Sequence, residues 1–264
     1  MSKFIAAMDN SGGSAGGVLE RYGQKYTEEN KMDLIHEMRL RMIESPAFSS
    51  EKVYGAILYL DSVNRGLAAK LIRANIMPFL KIDSGLNPDG TLKEFDLDSM
   101  ISIALKNKCI GTKMRSFIDG KAGVGRVIEQ QFSLAQKISD AGLLPIIEPE
   151  VNIHHPNKNA YELIVLEHIK INLSKYNGKC ILKLTLPETS DLYIELAMHS
   201  KVERLVALSG GYSLQEACSR LEQNSSMSAS FSRALNHGIR YQMNPSQYNA
   251  QLKSNIDSIY NAST

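Results

Sequence analysis

The chain has 264 residues, with 30 lysines and arginines against 28 aspartates and glutamates, which gives a formal net charge of +2. This balance offers no basic stripe, and no apolar run approaches the roughly 18–20 residues of a membrane span. We therefore expect neither nucleic-acid binding nor membrane binding.

Length and cysteine usage narrow the class further. With 43% hydrophobic residues the chain can bury one large core, and no linker or shift in composition divides it, so residues 1–264 are predicted to form a single domain. Cys109, Cys180 and Cys218 are few and far apart, which makes a disulfide framework unexpected. Residues 1–7 show no long apolar region with a cleavage site behind it, so we expect a cytoplasmic protein.

Strand-like and helix-like stretches alternate along the chain. The predicted strands are Phe4 to Asp9, Tyr54 to Leu60, Pro78 to Asp83, Gly111 to Ser116, Leu144 to Val151, Cys180 to Pro187, Leu205 to Ser209 and Ala229 to Ala234. Helix-periodic runs between them are Met32 to Leu40, Val127 to Ala135, Tyr161 to Lys170, Leu192 to Met198 and Leu214 to Leu221. Eight strands alternating with helices predict a (β/α)8 TIM barrel. An open doubly wound sheet competes, but no strand is followed by a G-x-G-x-x-G turn that opens a helix.

The sixth predicted strand holds an anomalous lysine. Cys180 to Pro187 is apolar on both sides of Lys183, as suits a parallel strand covered on both faces. Because an unpaired ammonium is very costly to bury, Lys183 either pairs with a carboxylate or is kept neutral for chemistry. An ordinary lysine has a pKa near ~10.4, so a nucleophilic lysine needs burial or a neighbouring cation to become neutral at pH 7.

Charged residues recur near the C-terminal ends of the predicted strands, often two positions apart. Residues i and i+2 of a strand face the same side, and barrel enzymes place their sites at this end. One buried ion pair would need no functional explanation, whereas nine converging charges indicate a functional site. The nine are Asp9, Lys81, Asp83, Lys113, Arg115, Glu148, Glu150, Lys183 and Arg233.

Seven short motifs contain these charges and fall on nearly every predicted strand. They are AMDNSGGS at 7–14, FLKID at 79–83, GTKMR at 111–115, PIIEPE at 145–150, LKL at 182–184, LSGG at 208–211 and SFSRAL at 230–235. In this order they resemble the class I fructose-1,6-bisphosphate aldolases, in a shorter bacterial-type form. The resemblance spans almost the whole chain.

The resemblance implies reversible cleavage of fructose 1,6-bisphosphate to dihydroxyacetone phosphate and glyceraldehyde 3-phosphate, with no metal and no cofactor. Lys183 would form the Schiff base, with Lys113 as its cationic neighbour. Glu148 resembles the general acid/base of carbinolamine formation and dehydration. Asp9 resembles the carboxylate that handles the proton of the C4 hydroxyl. Many members of this family form homo-oligomers, so self-association is also implied.

The remaining site residues carry over by position. Those assigned to the phosphate on carbon 1 are Ser209, Gly210 and Gly211, after the seventh predicted strand, and Arg233 on the eighth. Those assigned to the other phosphate are Ser11, Ser14 and Arg115. Glu150 and Lys81 would shape the charge network around the catalytic groups.

The chain departs from the better-known animal enzymes at three motif positions. It has Asn10 where they have glutamate, Met114 where they have tryptophan and Ser232 where they have glycine. Those enzymes also end in a long tail with a terminal tyrosine, whereas Tyr260 receives no role here.

Other interpretations stay open at the level of the residues. Lys183 and Glu148 can form a purely structural pair, Glu150 and Asp83 can serve only as partners of nearby cations, and the serine and glycines at 209–211 can form only a tight turn. A lysine aldolase for another phosphorylated sugar and a non-catalytic sugar-phosphate binding protein are the competing functions. A metal-dependent aldolase is disfavoured by the missing histidine cluster, since His154 and His155 are expected in a solvated loop.

Overall fold

A computed structural model describes residues 2–120 and 123–263 of the chain. Eight parallel strands form one sheet in which each strand pairs with the next in chain order. The amide of Ala7 in the first strand donates to the carbonyl of Phe231, just past the last strand, at 3.2 Å. This bond brings the sheet round on itself, and the predicted (β/α)8 barrel is confirmed.

The strands are β1 (Phe4–Met8), β2 (Val53–Leu58), β3 (Met77–Lys81), β4 (Gly111–Ile118), β5 (Leu144–Val151), β6 (Cys180–Thr185), β7 (Val202–Leu208) and β8 (Ser228–Ala229). The helices are α1 (Gly12–Tyr22), α2 (Lys31–Ile43), α3 (Leu60–Asn64), α4 (Leu67–Arg73), α5 (Leu97–Lys106), α6 (Val124–Asp140), α7 (Lys158–Lys175), α8 (Ile194–Ala197), α9 (Leu214–Glu222) and α10 (Pro245–Ala262). In the described part of the chain, none of these helices combines the length and apolar character needed to cross a bilayer.

The core has two layers because successive strand residues point to opposite faces. A small inner cluster fills the barrel, and a larger one lies between the strands and the helices. The inner cluster consists of Ile5, Ala7, Ile57, Phe79, Ile146, Ile181 and Val206. Residues two positions further along stand on the same face, one layer higher, so this apolar floor places Asp9, Lys81, Glu148 and Lys183 inside the barrel mouth.

The eighth strand is much shorter than predicted. The expected strand from Ala229 to Ala234 is wrong, because β8 pairs with β7 only at Ser228 and Ala229. Beyond it, the amides of Leu235 and the next two residues each donate to the carbonyl three positions earlier. Buried apolar residues here therefore belong to consecutive turns, and Arg233 lies in those turns rather than on a strand.

Candidate active site

A cavity of about 450 Å³ opens at the C-terminal ends of the strands. All nine converging charges line it: Asp9, Lys81, Asp83, Lys113, Arg115, Glu148, Glu150, Lys183 and Arg233. The other predicted site residues in its lining are Ser11, Ser14, Ser209 and Gly210. Gly211 is absent from the described lining and stands just outside it, with Arg233 Nη2 3.4 Å from where a Cβ at Gly211 would lie.

Four of these charges form a chain of alternating sign across the floor of the cavity. Lys113 Nζ lies 2.9 Å from Asp9 Oδ2 and 2.7 Å from Glu148 Oε2. The other carboxylate oxygen of Glu148, Oε1, lies 3.1 Å from Lys183 Nζ. Glu148 thus contacts both lysines, and Lys113 contacts both carboxylates.

Burial makes these contacts strong. Lys113, Glu148 and Lys183 are each only 3% exposed, so water screens their charges weakly. Burial alone would raise the pKa of Asp9 and of Glu148, but Lys113 and Lys183 outweigh it and hold both pKa values below their ordinary range. Burial alone would lower the pKa of Lys113, yet Asp9 and Glu148 raise it. At neutral pH both carboxylates are therefore ionised and Lys113 is protonated.

A second tier of ion pairs lies above this chain. Arg115 Nε donates to Glu150 Oε2, and Lys81 Nζ lies 3.2 Å from Asp83 Oδ1. Asp83 also accepts the backbone amide of Arg115 at 3.3 Å. Glu150 and Asp83 are thus occupied by neighbouring cations, as the structural interpretation of these two carboxylates anticipates.

A gap between β5 and β6 makes room for the pair formed by Glu148 and Lys183. The two strands share only two paired positions, Ile146 with Ile181 and Ile147 with Leu182, and then separate. Beyond the gap, Thr185 Oγ1 accepts from the amide of Val151 at 2.8 Å and donates to its carbonyl at 3.2 Å. A side chain thus replaces the missing backbone ladder, so both backbone groups of Val151 remain satisfied.

The loop after β7 borders the cavity with Ser209 and Gly210. Gly210 and Gly211 have φ values of 58° and 128°, in the left-handed region that favours glycine. Ile153 also crowds this loop, because a Cβ at Gly210 would lie 2.6 Å from Ile153 Cγ2. A side chain at Gly210 is therefore disfavoured twice. A backbone turn of this kind, next to the Arg233 guanidinium, is suited to binding an anion.

The N-terminus of α1 also borders the cavity, through Ser11 and Ser14. Ser11 is the N-cap of this helix, its side chain makes no capping hydrogen bond, and the first turn contains no acidic residue. Ser14 Oγ donates to the Ser11 carbonyl at 3.2 Å. A helix N-terminus attracts anions through its free amides and its dipole, so the cavity has a second position suited to phosphate.

One residue that was not predicted lines the cavity, and several residues considered in the sequence analysis lie away from it. Ser230 lines the cavity with a buried hydroxyl that has no partner among the described residues; it begins the motif at 230–235 but was assigned no role from the sequence. Tyr260 lies at the far end of the barrel, where Lys52, just before β2, stands 5.6 Å from its ring centroid.

His155 packs edge-on against Tyr161 with ring centroids 4.7 Å apart, while His154 is exposed. Within residues 2–120 and 123–263, no cluster of three or more histidine, cysteine or acidic residues is arranged to hold a metal.

The sequence comparison and the structural comparisons described next all involve fructose-bisphosphate aldolases. A curated class 1 fructose-bisphosphate aldolase from Synechocystis sp. is 43% identical over 279 residues, which span 98% of this chain and 93% of that protein. The fructose-bisphosphate aldolase of Plasmodium falciparum, solved in complex with TRAP and a small-molecule inhibitor, has a TM-score of 0.78 at 18% identity, covering 98% of this chain and 90% of that chain.

An archaeal fructose-1,6-bisphosphate aldolase gives a more distant structural match. It was solved with its catalytic lysine covalently bound to the carbinolamine intermediate of the substrate, and its TM-score is 0.59 at 13% identity, covering 98% of this chain and 94% of that chain. At these identities the structural likeness shows the shared barrel fold. No protein-family model matches the chain.

Proposed function

This chain belongs to the class I fructose-bisphosphate aldolase family, and we propose that it cleaves fructose 1,6-bisphosphate reversibly to dihydroxyacetone phosphate and glyceraldehyde 3-phosphate. The observation that carries the proposal is the position of Lys183. Its Nζ is buried on the floor of the cavity, 3.1 Å from Glu148, and the same cavity contains two positions suited to phosphate. The reaction proposed needs neither metal nor cofactor.

The first half of the proposed reaction forms the Schiff base. Glu148 first takes a proton from the Lys183 ammonium, and the amine so formed attacks the C2 carbonyl of the open-chain sugar; a second proton passes from the nitrogen to the carbonyl oxygen and gives a carbinolamine. Glu148 then returns its proton to the C2 hydroxyl, which leaves as water, and a protonated imine remains. Lys113 stays protonated beside Glu148, which places a cation close to the nucleophile.

The second half breaks the bond between C3 and C4. Asp9 accepts the proton of the C4 hydroxyl, the C4 oxygen becomes the aldehyde oxygen, and the electron pair of the broken bond passes into the imine to give an enamine. Glyceraldehyde 3-phosphate then leaves. Protonation at C3 and hydrolysis of the imine release dihydroxyacetone phosphate and restore Lys183.

The phosphate groups fix the substrate across this floor. We assign the C1 phosphate to Ser209, to the amides of the turn at Gly210 and Gly211, and to Arg233, because the turn and the guanidinium are adjacent. The C6 phosphate is assigned to Ser11, Ser14 and Arg115, at the N-terminus of α1 and the rim. Lys81 and Glu150 hold their neighbours in place and complete the charge balance of the rim.

Reductive trapping tests the nucleophile directly. The protein is incubated with dihydroxyacetone phosphate and borohydride, then digested, and the modified peptide is identified by mass. We expect a stable adduct on Lys183 and a matching loss of cleavage activity. Lys158 is a matched internal control, because it is 4% exposed and contacts Glu162, yet lies outside the cavity.

The other outcomes separate the competing functions. An adduct on another lysine would keep the reaction class and overturn the site assignments, whereas binding without an adduct would favour a non-catalytic sugar-phosphate protein. Relative rates on other phosphorylated sugars would identify a sibling lysine aldolase. Activity that disappears in excess chelator would point to metal-dependent chemistry.

We also propose a cytoplasmic location. Cys109, Cys180 and Cys218 are all free thiols, and all three are buried. Burial raises the pKa of Cys109 and Cys218 to about 11, which keeps these thiols protonated and unreactive. Recovery of the protein from an exported fraction of its own cell would contradict this location.

Self-association is the last part of the proposal. α7 exposes three large aliphatic side chains, Leu163, Ile164 and Ile171, of which Leu163 and Ile171 are each 48% exposed. A helix with apolar residues on several sides is typically packed against other protein on both faces. We propose that a second copy of this chain packs against the exposed apolar residues of α7. We expect sedimentation equilibrium to give a mass above that of one chain; a monomeric mass at micromolar concentration would contradict this.

A further inference from the structure

A buried arginine lies directly behind the first strand. Arg39 is in α2 and is only 1% exposed. It occupies the apolar face of this helix together with Ile35, Met38 and Met42, where an aliphatic side chain would be expected. A guanidinium in such a place requires partners, because burying an unpaired charge is very unfavourable.

The hydrogen bonds of Arg39 join the loop after β1 to α3. Nη2 donates to the backbone carbonyl of Asn10, the residue after Asp9, and Nη1 donates to Ser62 Oγ at 2.7 Å. Asn10 is held from its other side as well, since Ser232 Oγ donates to its side-chain oxygen at 3.3 Å. No carboxylate within residues 2–120 and 123–263 forms an ion pair with Arg39.

The charge of Arg39 nevertheless reaches Asp9. Burial lowers the pKa of Arg39 to about 10, and the negative charges of Asp9 and Asp61 oppose that shift. The interaction between two charges is mutual, so the guanidinium stabilises the Asp9 carboxylate as Asp9 stabilises the guanidinium. Asp9 therefore has Lys113 in contact with it and Lys183 and Lys81 nearby in the cavity, and Arg39 adds a further cation on the buried side.

We infer that Arg39 is a positioning residue for Asp9, which clamps the backbone just after the carboxylate and places a cation behind it for the step at the C4 hydroxyl. This inference rests on the proposed function, in which Asp9 accepts the proton of that hydroxyl. Arg39 itself does not touch the substrate, because it lies beneath Asn10 and outside the cavity lining.

The test compares two reactions of the same enzyme. Dihydroxyacetone phosphate has no C4, so its borohydride-trapped adduct does not depend on Asp9, whereas cleavage of fructose 1,6-bisphosphate does. We expect Arg39→Met to lower kcat for cleavage on the order of 10- to 100-fold, with the rate of adduct formation and KM within about threefold of wild type. Arg39→Lys should recover part of kcat, since it keeps the charge but loses the two-pronged hydrogen bonding.

Arg41→Met is the matched control. Arg41 lies two residues further along α2, on another face of the helix, where it donates to Tyr22 Oη at 3.0 Å and stacks 4.0 Å from the ring centroid of Tyr248. It should lower the melting temperature without changing the ratio of cleavage to adduct formation.

Several results would overturn the inference. One is a folded Arg39→Met variant with wild-type kcat, and another is an equal fall of cleavage and adduct formation in that variant. If Arg39→Met does not fold, Arg39→Lys decides: an unchanged ratio of cleavage to adduct formation contradicts a positioning role. Absence of cleavage in the wild-type protein would instead contradict the proposed function.

Discussion

Replacing Lys183 with methionine is expected to abolish cleavage of fructose 1,6-bisphosphate, with a loss on the order of 10⁴- to 10⁶-fold in kcat. The Schiff base cannot form without the amine, and Lys113, its neighbour on the cavity floor, is held protonated by Asp9 and Glu148. The fold should survive, because Glu148 keeps its contact with Lys113 at 2.7 Å when Lys183 is gone. Steady-state kinetics and thermal unfolding of the same preparation measure both effects.

Lys158→Met supplies the comparison that separates chemistry from structure. Lys158 is also a buried lysine, and it contacts Glu162 and donates to the carbonyl of Leu186 at 2.8 Å. Its loss leaves Glu162 buried without its ammonium, so stability should fall while kcat stays near wild type. If Lys183→Met behaved in the same way, with reduced stability and retained cleavage, Lys183 would be a structural pair of Glu148 and the mechanism would be wrong.

Replacing Lys113 with methionine is expected to have the largest effect on stability, a loss of about 3–5 kcal/mol in the free energy of unfolding at pH 7. Lys113 is the ammonium in contact with Asp9, and it also contacts Glu148. Removing it leaves a buried carboxylate without its ion pair. Lys81→Met is the milder comparison, because Lys81 has one carboxylate partner, Asp83, and stands nearer the rim.

The pH dependence of that loss identifies its cause. In the wild type the pKa values of Asp9 and Glu148 are lowered, so the stability they contribute is present above the ordinary carboxyl pKa of about 4 and is lost as the pH falls through the folded values. Without Lys113 burial dominates at Asp9, which then destabilises the fold while ionised and is relieved by protonation. Urea unfolding should therefore show a deficit that shrinks from pH 7 to pH 5. A deficit independent of pH would mean that lost packing, not lost charge, is responsible.

The fold and most of the site were predictable because both follow from the alternation of side chains along the strands. Along β1, β3, β5 and β6, an apolar residue on the inner layer is followed two positions later by a charged one, as with Ile181 and Lys183 or Ile146 and Glu148. Alternating strands and helices then predict the barrel, and the barrel gathers the charges at one end. The i and i+2 spacing therefore carried enough information to place these side chains in one cavity.

The parts that were not predicted depend on contacts between distant segments. Whether Lys113 contacts one carboxylate or two depends on how close β1, β4 and β5 come when the barrel closes. The sequence predicts a strand from Ala229 to Ala234 that includes Arg233, but apolar residues such as Phe231 and Ala234 occur in consecutive turns as well as in strands. Arg39 carried a local signal, a charge on the apolar face of α2, but its partners Asn10 and Ser62 lie 29 and 23 residues away.

Because the last strand is short, we expect the barrel to resist local opening less around β8 than around the other strands. Lys183 and Glu148 belong to strands that are anchored over several residues, whereas β8 has two ladder positions and is joined to β1 by the bond between Ala7 and Phe231. Local opening should therefore begin at this seam, at a lower free energy than global unfolding. Arg233 lies just beyond this seam, so a phosphate bound to Arg233 would stabilise the closed form. Amide hydrogen exchange around Phe231 should therefore be slower when the substrate is bound.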